Sequence, residues 1–267
     1  MKLGIFGWPV AHTRSPRLFA RLAVLLKRPI SYEAVLVADL PSAMKKARAA
    51  GWRGANVTAP LKEKAAESAG RLTTAAKALG AVNVLRFGRG VQGHNTDADG
   101  LRDALREAGL AIRGKSALVF GAGGAARAAG WALASEGAKK VRFCARTAAR
   151  AERAAKALKP HFRKTSFSAG APVASDIWVN ATPLGMKGFS DRSPAPRALA
   201  SPELAVDLVY GRRTAFQRDA ASRGARVTDG AAMLVHQALR AWEYWDKPLG
   251  ARRRAALAVP LLKEVLK

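Results

Sequence analysis

Two periodicities alternate along the chain. Short apolar runs bounded by glycine and proline read as buried strands, and stretches with apolar residues three and four apart read as helices. Leu3–Phe6 is the first run. A loop from Gly7 to Arg14 leads to Ser15-Pro16, which reads as a helix N-cap with proline at the first helical position. Leu18, Phe19, Leu22, Leu25 and Leu26 then share one helical face. Tyr32–Val37 is the second predicted strand, Pro41–Ala50 a helix stopped by Gly51, and Ala55–Thr58 a third strand that runs into Pro60. A helix of Lys, Glu and Ala follows, ending near Gly70. Ala81–Phe87 and Val91–Thr96 flank Gly88-Arg89-Gly90 as a hairpin. In Asp97–Ala108 the residues Leu101, Ala104, Leu105 and Ala108 line one face.

The second half is more regular. Ala117–Phe120, Lys139–Ala145, Ile177–Ala181, Leu204–Val209 and Ala225–Thr228 read as strands. Between and after them, helices are predicted from about Ala125, over Thr147–Leu158, over Thr214–Arg223, over Ala231–Trp245 and from Arg252. Strands alternating with helices predict parallel sheets in an α/β protein. Residues 98–229 suffice for a complete dinucleotide-binding domain of Rossmann type. Residues 1–97 form an N-terminal α/β segment, which needs 230–267 to complete a separate, discontinuous domain. Ligands are expected in the cleft between the two.

Composition narrows the class. The chain has 267 residues, 49% of them hydrophobic, enough for real cores rather than disorder. Its one cysteine, Cys144, cannot form an internal disulfide and reads as a small strand residue, which suits a reducing cytoplasm. Gly7 and Pro9 end the first apolar run too early for a secretory signal. No apolar run reaches membrane-spanning length. The net charge of +27 first suggests a nucleic-acid partner. The Lys and Arg are spread along the whole chain, however, and the densest cluster is only Arg252-Arg253-Arg254, with no zinc-finger spacing, aromatic RNA-binding motif or basic tail. Nucleic acid is therefore not the expected primary partner; solvated Arg-rich helix faces, or a general field that attracts small anions, account for the charge. No metal-ligand spacing stands out.

The chemistry begins at Lys115–Ala128. An apolar strand, the glycines Gly121, Gly123 and Gly124, and an Ala-rich helix follow one another there. The spacing is G-x-G-x-x-A, with Ala126 in the third glycine's place. Such a turn lets backbone N–H groups approach a phosphate at a helix N-terminus. In a dinucleotide fold, an acidic residue at the end of the second strand binds the ribose 2′-OH of NAD. Here that strand ends in Ala145-Arg146-Thr147, with Arg150 one turn on and no Asp or Glu. A guanidinium suits a 2′-phosphate through charge-assisted, bidentate hydrogen bonds. The pattern favours NADP over NAD.

Further motifs stand in order along the chain: Gly7-x-Pro9-Val10-x-His12-Thr13-x-Ser15-Pro16, Gly54-Ala55-Asn56-Val57-Thr58-x-Pro60-x-Lys62, Gly80-Ala81-Val82-Asn83, Asn95-Thr96-Asp97 and Gly121–Ala126. After these come Arg146-Thr147, Asn180-Ala181-Thr182-Pro183-Leu184-Gly185-Met186, Asp207-Leu208-Val209-Tyr210 and Asp229-Gly230-x-x-Met233-Leu234-x-x-Gln237. As a set, these stretches resemble the shikimate dehydrogenase family. The resemblance implies reversible NADPH-dependent reduction of 3-dehydroshikimate to shikimate; a relative preferring quinate, or accepting both acids, is the nearest alternative. It also implies Lys62 and Asp97 as the catalytic pair. Thr13 and Ser15 would donate to the substrate carboxylate, with Thr13 replacing the commoner serine and adding a methyl. Asn56, Thr58, Asn83, Tyr210 and Gln237 would fix the ring hydroxyls. On the cofactor side, Gly121, Ala122, Gly123, Gly124 and Ala125 would hold the pyrophosphate, and Ala145, Arg146, Thr147 and Arg150 the adenosine phosphate. Thr182, Met186, Gly230 and Met233 would lie near the nicotinamide, although Met233 also sits at core spacing. The partner is then a small acid, acted on by a cytoplasmic monomer or homodimer.

Physical chemistry supports the pair. Hydride delivery to a carbonyl builds negative charge on oxygen, so a cation or proton donor beside it lowers the barrier. Lys62 falls in the first turn of the helix after Pro60, with Asp97 as its expected neighbour. Ala98 stands where the family has glycine, which implies that the backbone there does not need a positive φ.

Overall fold

The computed structural model describes residues 1–11 and 13–266; His12 of the first motif lies outside them. Two compact units emerge, Met1–Gly100 with Leu234–Lys267, and Leu101–Met233.

The first unit carries β1 (Lys2–Gly7), α1 (Ser15–Leu26), β2 (Ser31–Leu36), α2 (Leu40–Ala49), β3 (Gly54–Val57), α3 (Lys62–Ser68), β4 (Arg71–Leu72), α4 (Thr74–Leu79), β5 (Val84–Phe87) and β6 (Val91–His94). Its sheet runs β2-β1-β3-β5-β6-β4. β1 is parallel to β2 and β3, whereas β5 is antiparallel to both β3 and β6. Phe6, Val57, Val82 and Leu85 are buried on this sheet with Leu40 and Met44 of α2. The hairpin around Gly88–Gly90 is present. The two-residue β4 and the six-residue α4 are too short to leave a periodic signal.

One local expectation is corrected. Ser15 is not the N-cap of α1: Arg14 holds that position with no side-chain cap, and Ser15 and Pro16 are the first helical residues. Proline still occupies a first-turn position where its missing N–H costs nothing. The Ser15 hydroxyl is thereby released from capping for other partners.

The unit is completed by α9 (Ala231–Trp245) and α10 (Ala251–Leu266). Glycine makes this docking possible. A Cβ on Gly54 would lie 2.3 Å from Trp245 Nε1, and in its absence the indole N–H donates to the Leu85 carbonyl at 2.8 Å. Farther along α9, a Cβ on Gly100 would lie 2.7 Å from the backbone of Gln237.

The second unit is a wholly parallel sheet ordered β12-β11-β10-β7-β8-β9. The strands are β7 (Ser116–Phe120), β8 (Lys140–Cys144), β9 (Ser166–Ala169), β10 (Ile177–Asn180), β11 (Leu204–Asp207) and β12 (Arg226–Thr228), with α6 (Gly124–Ser135), α7 (Ala148–Leu158) and α8 (Ala215–Ser222) among them. Helix α5 (Asp97–Glu107) leads into it. Numbered from β7, the sheet order is that of a doubly wound dinucleotide fold, which reverses between β7 and β10. The central strands β10 and β11 are buried throughout, as expected for a sheet covered on both faces. Gly130 brings α6 against the sheet, since a Cβ there would meet the Phe143 ring at 2.6 Å. The sequence pattern does not reveal β9, an edge strand with no fully buried residue.

Candidate active site

Within the first unit the predicted residues gather where β3, β5 and β6 end or begin. Val57 leads to Thr58, whose N–H donates to the Phe6 carbonyl at 2.9 Å. Gly7 leaves room for it: a Cβ at that position would lie 2.4 Å from Thr58 Cγ2. The chain then turns into α3, with Lys62 at its first residue. Val82 N–H donates to the Lys62 carbonyl at 2.9 Å, which ties the lysine backbone to the segment carrying Asn83. From the other side, Asn95 Nδ2 donates to the Ala81 carbonyl at 3.0 Å, and Asn95 Oδ1 accepts from Asp97 N–H at 3.0 Å.

These ties bring Lys62 Nζ to 2.7 Å from Asp97 Oδ2. The other carboxylate oxygen accepts from Asn83 Nδ2 at 2.8 Å. Asn83 is held in turn, with its Oδ1 accepting from Thr96 N–H at 2.7 Å and its Nδ2 also near Thr96 Oγ1 and Gln237 Oε1. Asp97 is nearly buried, at 7% side-chain exposure, while Lys62 retains 20%. The pair is thus anchored at the carboxylate and open at the ammonium. Asp97 and Ala98 begin helix α5, where a helical backbone needs no glycine, and Ala98 packs in the core.

The remaining residues of this unit form a second string. Thr13 Oγ1 donates to Ser15 Oγ at 3.2 Å. Asn56 Nδ2 donates to the Asn83 carbonyl at 3.2 Å, and Asn56 Oδ1 accepts from the Tyr32 hydroxyl at 2.7 Å. Tyr32 is not legible in the sequence as a site residue: it stands alone on an edge strand, outside every motif, and only the fold delivers its hydroxyl to Asn56. Gln237 is buried on α9, its Nε2 donating to the Leu234 carbonyl at 2.9 Å.

In the second unit the predicted residues follow the C-terminal ends of parallel strands, the ligand-binding edge of such sheets. Gly121 adopts φ +115° directly after β7, and a Cβ there would strike the Ala181 carbonyl at 2.8 Å, so only glycine fits. Gly123 is the N-cap of α6, with no side-chain cap, and a Cβ on it would meet nothing. The space beside Gly123 is open, and the first turn of α6 carries the N–H groups that have no intrahelical acceptor, the arrangement a phosphate needs. Ala145, Arg146 and Thr147 follow β8, with Arg150 in the first turn of α7. Arg146 and Arg150 are exposed, and among the described residues neither has a carboxylate partner. The residues present thus fit a dinucleotide bearing an extra phosphate. Cys144 is half-buried, and burial pushes its thiol up, away from nucleophilic use.

Tyr210 lies beyond β11 in this second unit, apart in the chain from the other predicted substrate contacts. Thr182 follows β10, its hydroxyl donating to Asn180 Oδ1 at 2.6 Å. Met186 is exposed, Met233 is buried, and Gly230 lies against the Leu208 carbonyl, 2.3 Å from where a Cβ would sit.

An unforeseen hub organises these loops. Asp207, fully buried at the end of β11, accepts hydrogen bonds from Asn180 Nδ2 at 2.9 Å, Val209 N–H at 3.1 Å, Gln217 Nε2 at 3.1 Å and the Thr214 hydroxyl. Burial pushes its carboxyl above the usual range, against the pull of the four donors. Asp207→Asn replaces one oxygen, the acceptor of two of these bonds, by an NH2 group that faces donors whichever way the amide points. It is expected to destabilise the protein by roughly 2–4 kcal/mol. A urea melt reads this directly, and an unchanged midpoint would show that the four donors find other partners.

Among the described residues no helix is long and apolar enough to cross a membrane.

Comparison with known proteins agrees with this geometry. Residues 5–85 match the family model for the shikimate dehydrogenase substrate binding domain. The shikimate dehydrogenase (NADP(+)) of Methanothrix thermoacetophila is 36% identical over 259 residues, covering 95% of this chain and 96% of the relative. That of Methylobacterium radiotolerans is 40% identical over 91% of this chain and 90% of its own length. The crystal structure of shikimate 5-dehydrogenase from Thermus thermophilus, in complex with NADP(H) and shikimate, superposes with a TM-score of 0.84 at 34% identity, covering 98% of this chain and 99% of that one. On sequence and architecture together, the chain belongs to the shikimate dehydrogenase family.

Proposed function

We propose that the protein is an NADP-dependent shikimate dehydrogenase, catalysing the reversible reduction of 3-dehydroshikimate to shikimate. The observation that carries this reading is the Lys62–Asp97 contact at 2.7 Å, anchored by Asn83 in a chain of this family. The bound dinucleotide supplies the hydride. In the reductive direction, the ketone oxygen gains negative charge, which the Lys62 ammonium stabilises and then neutralises by giving up its proton. In the oxidative direction, neutral Lys62 takes the hydroxyl proton as the carbinol carbon loses hydride. Asp97 orients the amine.

Thr13 and Ser15 receive the substrate carboxylate, and Asn56, Thr58, Asn83, Gln237 and Tyr210 take its hydroxyls. The first turn of α6 binds the pyrophosphate through the N–H groups behind Gly121–Ala125. Arg146, Thr147 and Arg150, with Ala145, recognise the 2′-phosphate, and Thr182, Met186, Gly230 and Met233 serve the nicotinamide half. The enzyme works in the cytoplasm, as its single thiol and its need for NADPH suggest. Steady-state kinetics with shikimate and with quinate, each with NADP, test the substrate assignment. The expected result is a kcat/KM at least tenfold higher for shikimate, equivalent to about 1.4 kcal/mol of transition-state discrimination. Equal values would make the protein a broader shikimate/quinate dehydrogenase.

A further inference from the structure

Tyr32 is not part of the machinery described so far, yet its hydroxyl sits at the junction of two groups of substrate contacts. Its ring is fixed by a face-to-face stack on Phe19 of α1, with centroids 4.3 Å apart and planes 6° from parallel. Phe19 is fully buried and packs in turn on Trp245. The hydroxyl therefore has little freedom to move. It donates to Asn56 Oδ1 at 2.7 Å, and the Ser15 side chain beside it pulls the phenol's pKa down against the larger rise from burial. Thr13 Oγ1 donates to Ser15 Oγ at 3.2 Å, and Asn56 Nδ2 donates to the Asn83 carbonyl at 3.2 Å. Tyr32, Asn56 and Asn83 form, in that order, one directional string of donors, with the Thr13–Ser15 pair beside it.

The direction of that string has a chemical consequence. A primary amide can present either its oxygen or its NH2 group to a ligand. With Nδ2 turned to the Asn83 carbonyl and Oδ1 turned to the phenol, the Asn56 amide is fixed in one orientation, its second N–H on the Nδ2 side and one remaining lone pair on Oδ1. We infer that Tyr32 is a positioning residue that sets the polarity of the substrate site, locking the Nδ2 side of Asn56 as a donor and seating Ser15 beside it. A ligand group meeting the Nδ2 side of Asn56 must then be an acceptor. Burial keeps the phenol itself protonated, well above its usual range, so the lock holds across the working pH range.

This inference rests on the reading that Thr13, Ser15 and Asn56 take the substrate. Tyr32→Phe keeps the stack on Phe19 and deletes only the hydroxyl. The expected result is a rise in the KM for shikimate of about tenfold, the scale of one lost hydrogen bond in a buried network, with kcat within about twofold and the KM for NADP unchanged. A double-mutant cycle with Asn56→Ala provides the readout that a merely structural role would not move. If Tyr32 acts through Asn56, adding Tyr32→Phe to Asn56→Ala raises KM little further. Fully additive effects on KM, or a lower thermal midpoint with KM unchanged, would overturn the inference. A wild-type enzyme that fails to oxidise shikimate would instead overturn the reading beneath it, so the two failures are distinguishable.

Discussion

Replacing Lys62 by alanine is expected to lower kcat by roughly 10²-fold or more, with a smaller change in the KM for substrate. That factor corresponds to about 2.7 kcal/mol of transition-state stabilisation. The reason lies in where charge develops. A ketone ground state asks little of a nearby ammonium, whereas an oxygen receiving electrons as hydride arrives asks a great deal, so the loss falls on the chemical step. The geometry adds to this. Asp97 is nearly buried and holds Lys62 at 2.7 Å, so the amine is positioned in advance rather than recruited from solvent. Removing Lys62 also strips the carboxylate of its counter-ion, although Asn83 still donates to Asp97 at 2.8 Å. A thermal melt of the variant, run beside the kinetics, separates lost chemistry from altered folding. Unchanged turnover would remove Lys62 from the mechanism.

The second large effect concerns the cofactor. The double substitution of Arg146 and Arg150 by alanine is expected to raise the KM for NADP by roughly 10–100-fold and to leave the KM for NAD nearly unchanged: one charge-assisted hydrogen bond is worth about 1.5–3 kcal/mol, and solvent around two exposed guanidiniums holds their sum near that of one. Both guanidiniums are exposed at the end of β8 and the start of α7. Their contribution should therefore shrink as salt is raised, by ordinary screening. Measuring both cofactors at two ionic strengths checks the assignment. A KM for NADP that does not move would return these arginines to the general basic surface of a chain with net charge +27.

Much of the fold is legible in the sequence because its signals are local. The strands Ala117–Phe120, Ile177–Ala181 and Leu204–Val209 are apolar runs in a doubly covered sheet, and glycine or proline marks most of their borders. The glycine loop is legible for a steric reason: at Gly121 the backbone is left-handed and the Ala181 carbonyl fills the space of a side chain. Elements without such a signature escape the pattern. β4 is two residues long, α4 six, and β9 is an edge strand. The cap at Ser15 differs from expectation by one position because a serine before a proline suits both an N-cap and a first helical residue.

The site is legible only as far as its motifs reach. Lys62, Asp97, Asn83 and Gln237 each stand inside a recognisable segment, and the fold brings them into one hydrogen-bonded group. Tyr32 and Asp207 differ in kind. Asp207 lies within a motif, but its work of receiving four donors from three separate segments exists only in three dimensions. Tyr32 gains its meaning from a partner on another strand. Ala98 shows the converse. A departure from the family pattern that raises a question about backbone geometry is answered by a helix start, which accepts alanine without strain.

The most direct measurement is the rate of NADPH formation when purified protein is given shikimate and NADP, followed by absorbance, with NAD as the parallel cofactor. A shikimate-dependent rise that saturates in both substrates, with kcat/KM on the order of 10⁴ M⁻¹s⁻¹ or above and clearly favouring NADP, is the predicted result. No shikimate-dependent reduction of either cofactor, from a folded protein that binds NADP, would contradict the account at its centre.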